Sequence, residues 1–241
     1  MNYQTLAGKF LLVLLISVCL SCSGKPGGGD ETFATFTVDS NDANVEFFLK
    51  DDEANYLKSI ENLKSYVEKN GKRLRFAMNG GMYQEDNKPL GLFVQNQKTI
   101  TPLNTREAKG NFYIKPNGVF YITNDRRAFV SRTENFTDAG QVKFATQSGP
   151  MLLVDGEINS QFTQDSDNVQ IRNGVCVLEN NRVIFAISKK TVNFYDFAQH
   201  FKNLNCKDAL YLDGFVSRMY LPEQEIEPLD GNFGVIIGIT E

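Results

Sequence analysis

Between Leu90 and Ile187 the chain is a succession of short apolar runs broken by turn residues, and this pattern restricts the fold more than any other feature. Leu90 to Gln95 and Lys98 to Thr101 flank Asn96-Gln97. Asn111 to Lys115 and Val119 to Thr123 flank Pro116-Asn117-Gly118. Ala128 to Arg132, Val142 to Thr146 and Met151 to Val154 follow, the last ending at Asp155-Gly156. Val175 to Leu178 turns at Glu179-Asn-Asn181 into Arg182 to Ile187. Runs of this length with such punctuation predict strands joined as hairpins. They predict a β-meander rather than alternating βαβ units.

Two segments break the pattern with helical spacing. Leu57, Ile60, Leu63 and Val67 predict a first helix over about residues 53 to 69, with Asp51 and Asp52 upstream as caps and Gly71 at its C-terminal end. Phe194, Phe197, Ala198, Phe201 and Leu204 predict a second, N-capped by Asn193. Its aromatic face reads as core, and His200 on it as structural. Strands are expected at Phe33 to Val38, Val45 to Leu49, Leu74 to Met78, Ala209 to Asp213, Ser217 to Leu221 and Phe233 to Ile239. The expected architecture is α+β: one domain from residue 32 to 241, a β-rich meander of mostly antiparallel or mixed strands with two principal helices packed on the sheet.

The first 21 residues read as an export signal. Lys9 is a positive n-region, and Phe10 to Leu20 is an apolar run too short to span a bilayer but suited to a signal-peptide h-region. It ends at Leu20-Ser-Cys22-Ser-Gly24, similar to a bacterial lipobox, although Cys19 stands where Leu is usual. Cleavage before Cys22 would leave a lipid-anchored envelope protein on a tether of residues 22 to 31, which includes Lys25-Pro-Gly-Gly-Gly-Asp30. Removal of Lys9 leaves 24 basic against 29 acidic residues. That balance argues against a nucleic-acid partner and makes lipid, rather than basic charge, the membrane attachment. In an oxidising compartment Cys176 and Cys206 could pair; buried free thiols fit their apolar surroundings equally well.

One His among 241 residues rules out a multi-histidine zinc site and speaks against Ser-His-Asp or Cys-His catalysis. The pattern calls for no cofactor. It leaves a divalent metal open, with oxygen as the main ligand type. What remains are polar residues at strand ends. Ala209 to Leu212 delivers Asp213 and Gly214, followed by Ser217. Asn79-Gly80-Gly81, Gln147-Ser148-Gly149-Pro150 and Arg172-Asn173-Gly174 end or begin other runs. Arg172 offers a planar fork for carboxylate or phosphate oxygens. Asn79, Gln147 and Ser148 can bond hydroxyls, and N–H groups near Gly80, Gly81 and Gly149 can approach anionic oxygens. Each feature alone is compatible with a turn or a surface salt bridge. Together they describe a site for a polar, anionic ligand.

The same residues carry a resemblance. Asn79-Gly-Gly-Met-Tyr83, Pro89-Leu-Gly-Leu92, Gly110-Asn111-Phe-Tyr-Ile-Lys-Pro-Asn-Gly-Val-Phe120, Gln147-Ser-Gly-Pro-Met-Leu152, Arg172-Asn-Gly174, Val192-Asn-Phe-Tyr-Asp-Phe197 and Tyr211-Leu-Asp-Gly214 with Ser217 stand in order. The chain thereby resembles the phosphodiester glycosidase family, over about residues 74 to 221. The resemblance implies hydrolysis of a sugar-1-phosphodiester in an envelope or exogenous glycan. It implies Asp213 and Arg172 as catalytic residues. It implies Asn79, Gly80, Gly81, Asn111, Gln147, Ser148, Gly149, Asn173, Gly214 and Ser217 as substrate contacts, and a phosphorylated carbohydrate as partner. Glu85, Asp86 and Asp196 are candidates for a second carboxylate. Phe215 and Val216 replace the family's Gly-rich run, so a bulky Phe is expected to narrow the pocket. A non-catalytic lipoprotein that binds phosphoglycan or polysaccharide would carry the same residues.

Overall fold

A computed structural model describes Met1 and residues 31–241 of the chain. The expected signal peptide after Met1, Cys22 and all but the last residue of the tether lie outside the described residues. Among the described residues fifteen strands form three sheets, and every strand pair is antiparallel. A six-stranded sheet runs β1 (Phe33–Asp39), β12 (Arg182–Ser188), β11 (Asn173–Val177), β13 (Ala209–Asp213), β9 (Met151–Val154), β10 (Glu157–Ile158). A four-stranded sheet runs β14 (Met219–Tyr220), β3 (Leu74–Asn79), β15 (Ile236–Thr240), β2 (Val45–Phe48). A five-stranded sheet runs β5 (Lys98–Thr101), β4 (Phe93–Gln95), β8 (Val142–Ser148), β6 (Gly118–Thr123), β7 (Ala128–Arg132).

The largest core cluster lies among the three sheets, and phenylalanines connect it. Phe36 stacks on Phe76 (4.7 Å between ring centroids), Phe76 meets Phe185 (4.9 Å), Phe185 meets Phe120 (5.8 Å), and Phe47 contacts Phe120 and Phe144 (5.5 Å each). Each sheet contributes two of these rings. In a chain without Trp, these rings supply much of the apolar area that holds the layers together.

The first helix, α1 (Ile60–Lys69), begins later than the apolar spacing predicts. Asp51 Oδ1 accepts the Glu53 and Asn55 amides (3.0 and 2.8 Å), and this local turn competes with helix over residues 51–55. Ser59 then caps the helix by accepting the Asn62 amide (3.1 Å). The second helix, α2 (Phe194–Asn203), starts as expected, with Asn193 Oδ1 accepting the Asp196 amide (2.8 Å). α1 packs on β3, and α2 on β9 and β10. His200 stacks on Phe33 (4.0 Å) and bonds Thr35 Oγ1 (3.1 Å), so it fastens α2 to β1.

The predicted hairpin of residues 111–123 does not form. Asn111–Tyr113 is a 3-10 turn, and Asn117 Nδ2 donates to the Phe112 carbonyl (2.9 Å), which folds the segment onto itself. β6 pairs with β7 and β8 instead. Cys176 on β11 and Cys206 beyond α2 form a disulfide.

Candidate active site

The three sheets meet at the ends of β3, β8, β11 and β13. β11 opens with Asn173 opposite Asp213, the last residue of β13, and a bulge follows Asn173. Residues 214–218 carry the chain from β13 into β14, and so from the six-stranded to the four-stranded sheet. Ser148 ends β8 and donates to the Leu212 carbonyl (2.7 Å), which ties the five-stranded sheet to β13.

A buried polar knot fixes Asp213. Asn173 Nδ2 donates to Asn79 O (3.0 Å) and Oδ1 (2.9 Å). Asn173 Oδ1 accepts the Asp213 amide (2.9 Å). Ser217 Oγ donates to the Asp213 carbonyl (2.7 Å), and the Arg218 amide donates to Asn79 Oδ1 (2.9 Å). Asn79, Asn173 and Ser217 are all buried. Two polar positions of this knot have no partner among the described residues. Asn79 Nδ2 is buried without a partner. The Asp213 carboxylate accepts the Gly214 and Phe215 amides (2.6 and 3.3 Å), both on Oδ1, which leaves Oδ2 without a protein partner.

Burial pushes the Asp213 carboxyl up to about 6, and the two amides on Oδ1 oppose that rise only in part. The charge of Asp213 in turn helps raise two tyrosines, Tyr83 and Tyr211, whose own burial is the larger cause. Both hydroxyls therefore keep their protons at neutral pH. The Tyr83 hydroxyl donates to the Asn232 carbonyl. Tyr211 shares a strand face with Asp213, since the two are two residues apart on β13. A Cβ at Gly214 would collide with the Tyr211 hydroxyl, so only glycine lets the strand end close over that group.

Arg172 is placed differently from the open fork expected. It is fully buried. Nε donates to the Val192 carbonyl (2.8 Å), Nη1 to the Tyr211 hydroxyl (3.2 Å), and Nη2 to Asn168 O and Oδ1 (2.6 and 3.1 Å). Its guanidinium lies 3.6 Å from the Phe194 ring centroid. Burial lowers its affinity for the proton, and the neighbouring Tyr211 counters this. Arg172 thus reaches the Asp213 region through Tyr211.

Other expected contacts also belong to the scaffold. Gln147 Oε1 accepts the Leu92 and Asn104 amides (2.9 Å each), while Nε2 donates to Asn104 O (2.8 Å) and Thr133 Oγ1 (3.1 Å). No hydrogen-bonding position is left on that amide for a ligand hydroxyl. The Gly80 and Gly81 amides, expected to face an anion, donate to Val235 O (2.8 Å) and Thr146 Oγ1 (3.2 Å). A Cβ at Gly81 would strike the Gln147 carbonyl, so the glycine permits β3 and β8 to approach. Asn111 begins the turn that packs on Gly149, where a Cβ would lie 2.8 Å from the Phe112 carbonyl. Phe215 does not narrow the site, because its ring stands 89 % exposed.

None of the three candidate second carboxylates is hydrogen-bonded to a residue of the knot. Asp86 pairs with Lys88 (2.6 Å), Asp196 lies in the first turn of α2, and Glu85 is exposed. Among the described residues no cluster of three or more His, Cys, Asp or Glu is placed to hold a metal ion.

A half-buried carboxylate with one free oxygen, at the junction of three antiparallel sheets and near Tyr83 and Tyr211, marks the candidate site. The phosphodiester glycosidase family model matches residues 72–235, and the chain belongs to that family. It is 36 % identical over 234 residues to the uncharacterized protein YigE of Escherichia coli (strain K12), covering 92 % of this chain and 91 % of that one. Its fold resembles the catalytic domain of zebrafish N-acetylglucosamine-1-phosphodiester alpha-N-acetylglucosaminidase, auto-inhibited by its pro-peptide. The TM-score is 0.59 at 16 % identity, over 90 % of this chain and 86 % of that one. A hypothetical protein from Synechocystis is similar at TM-score 0.54 and 13 % identity, over 86 % of this chain and 59 % of that one.

Proposed function

We propose that this chain hydrolyses a sugar-1-phosphodiester, releasing the sugar and leaving a phosphomonoester. The observation that carries the proposal is the Asp213 carboxylate, pinned through Oδ1 and open at Oδ2, with its proton affinity raised by burial. A group poised near pH 6 is suited to general-base work at neutral pH. In the reaction, Asp213 takes a proton from water as the water oxygen bonds to the anomeric carbon. The bond from that carbon to the phosphate oxygen breaks, and its electron pair leaves with the phosphomonoester. Asp213 then returns the proton to solvent.

The leaving group is already stable as an anion, so it needs less protonation than an alcohol. Asn79 Nδ2 is the unpartnered neutral donor available to it. Arg172 acts as a positioning residue, holding the Tyr211 hydroxyl and adding positive charge behind it. This set favours catalysis over binding alone. A protein that only held phosphoglycan would gain nothing from burying a carboxylate beside an anionic ligand, because like charges repel most strongly where water is excluded.

Purified protein offered a panel of sugar-1-phosphodiesters, with and without chelator, should release free sugar and phosphomonoester. Saturable binding with no released sugar would overturn the hydrolytic reading and leave the binder. We place the protein at the bacterial cell envelope, tethered by lipid on Cys22, on the strength of the residue 9–24 pattern. Labelled fatty acid should enter the chain in bacteria and be lost in Cys22→Ser.

A further inference from the structure

We infer that Phe215 is a stacking platform for the substrate's sugar ring, and so a specificity-determining residue at the mouth of the Asp213 site. This rests on the phosphodiester reading above. Isolated apolar side chains on a surface are ordinary. The place and degree of exposure make this one informative. The other exposed large hydrophobics between residues 31 and 241, Ile100, Val169 and Leu229, are 44, 40 and 39 % exposed, each more than half covered; Phe215 is 89 % exposed. Its amide donates to Asp213 Oδ1 (3.3 Å), so its Cβ begins two bonds from an atom that touches the carboxylate.

The loop that carries the ring is anchored on both sides. Gly214 is closed against Tyr211, and its amide bonds Asp213 Oδ1 (2.6 Å). Val216 packs against the cluster around Leu57, Ile60 and Tyr220. Ser217 is buried, and the Arg218 guanidinium grips both oxygens of Asp230 (2.8 and 2.7 Å). A pinned backbone thus presents one unpartnered ring to solvent beside the reacting centre.

The chemistry of the ring selects its ligand. A phenyl group has no polar atom to satisfy, and the faces of a sugar ring are C–H surface bounded by hydroxyls. The negative face of the π system disfavours a phosphate, which directs Phe215 to the sugar rather than to the anion.

The chain contains no Trp, so Phe215→Trp introduces a single indole fluorophore. In an Asp213→Asn, Phe215→Trp double variant, methyl sugar-1-phosphodiesters should shift or quench the emission saturably. A glycerol phosphodiester, which carries the same anion without a ring, should not. Binding detected by calorimetry without an emission change, or equal responses to both ligands, would overturn the platform. In steady-state kinetics, Phe215→Ala should raise KM about tenfold with kcat within about threefold, while Phe215→Tyr keeps KM within about twofold. An unchanged KM in Phe215→Ala would overturn the inference even if hydrolysis is confirmed. Failure of wild-type protein both to bind and to cleave the sugar ligands would instead remove the phosphodiester reading, and the platform with it.

Discussion

Two buried polar regions lie side by side in this molecule, one at the end of β8 and one at the end of β13. At the first, Gln147 bonds Leu92, Asn104 and Thr133 through all four positions of its amide, and Ser148 bonds Leu212. At the second, Asn79, Asn173 and Ser217 are equally buried and tightly linked, yet Asn79 Nδ2 and Asp213 Oδ2 lack partners among the described residues. Closure makes the first region a fastener between strands. Incompleteness makes the second the candidate site, because a buried polar group left unmet, as Asn79 Nδ2 is, retains interaction energy for a ligand. Apart from Asp213, residue type does not separate the two regions, since both are built from amides and hydroxyls.

The sharpest way to break this comparison is Asp213→Asn. The variant keeps an oxygen for the Gly214 amide, so the fold should persist while hydrolysis falls about 10²–10⁴-fold. Undiminished kcat on a sugar-1-phosphodiester would remove Asp213 from the mechanism. Gln147→Ala is the counterpart in the closed region. It strands the Leu92 and Asn104 amides in the interior and should cost about 2–4 kcal/mol by urea unfolding, with kcat of the folded protein little changed.

Titration of Asp213 gives the third test. Its folded value of about 6 lies above the ordinary 3.8, so the favourable contribution of the protonated form is complete below pH 3.8 and is lost as pH rises through 6. Wild type should therefore be less stable than Asp213→Asn at pH 7, by about 1–3 kcal/mol, and the two should converge near pH 4. In the proposed mechanism the ionised form is the active one. kcat/KM should accordingly fall about tenfold per pH unit below 6.

The sequence made the outline of this site legible and concealed its wiring. Asp213, Asn173 and Asn79 announce themselves as polar residues terminating apolar runs. Tyr211 was within reach of the same reasoning, since period-two alternation puts it on the face of Asp213, but its ring also reads as core. Gln147 was misleading because its partners sit 14, 43 and 55 residues away, and no local pattern shows that its amide is fully engaged. Arg172 lies among polar neighbours, which conceals a burial imposed by α2 and by Asn168 from the preceding loop. The strand-and-turn rhythm predicted a β-rich fold of mostly antiparallel or mixed strands, and every observed pair is antiparallel. The division into three sheets follows from long-range pairing that rhythm alone does not encode.

The smallest effect we expect compares two serines directly. Ser148 Oγ and Ser217 Oγ each donate at 2.7 Å to a backbone carbonyl, of Leu212 and Asp213 respectively, so the two bonds differ by one residue in their acceptor. Ser148→Ala and Ser217→Ala should each cost about 1 kcal/mol of stability. Their kinetic effects should diverge. Ser148 holds a strand that is also held by the ladder of β13. Ser217 holds the 214–218 loop, whose amides orient the Asp213 carboxylate. Ser217→Ala should therefore lower kcat about three- to tenfold, while Ser148→Ala leaves it within about twofold. Equal losses of kcat in both variants would mean that the two regions work as one unit, and that the open positions around Asp213 do not set it apart from the fastener beside it.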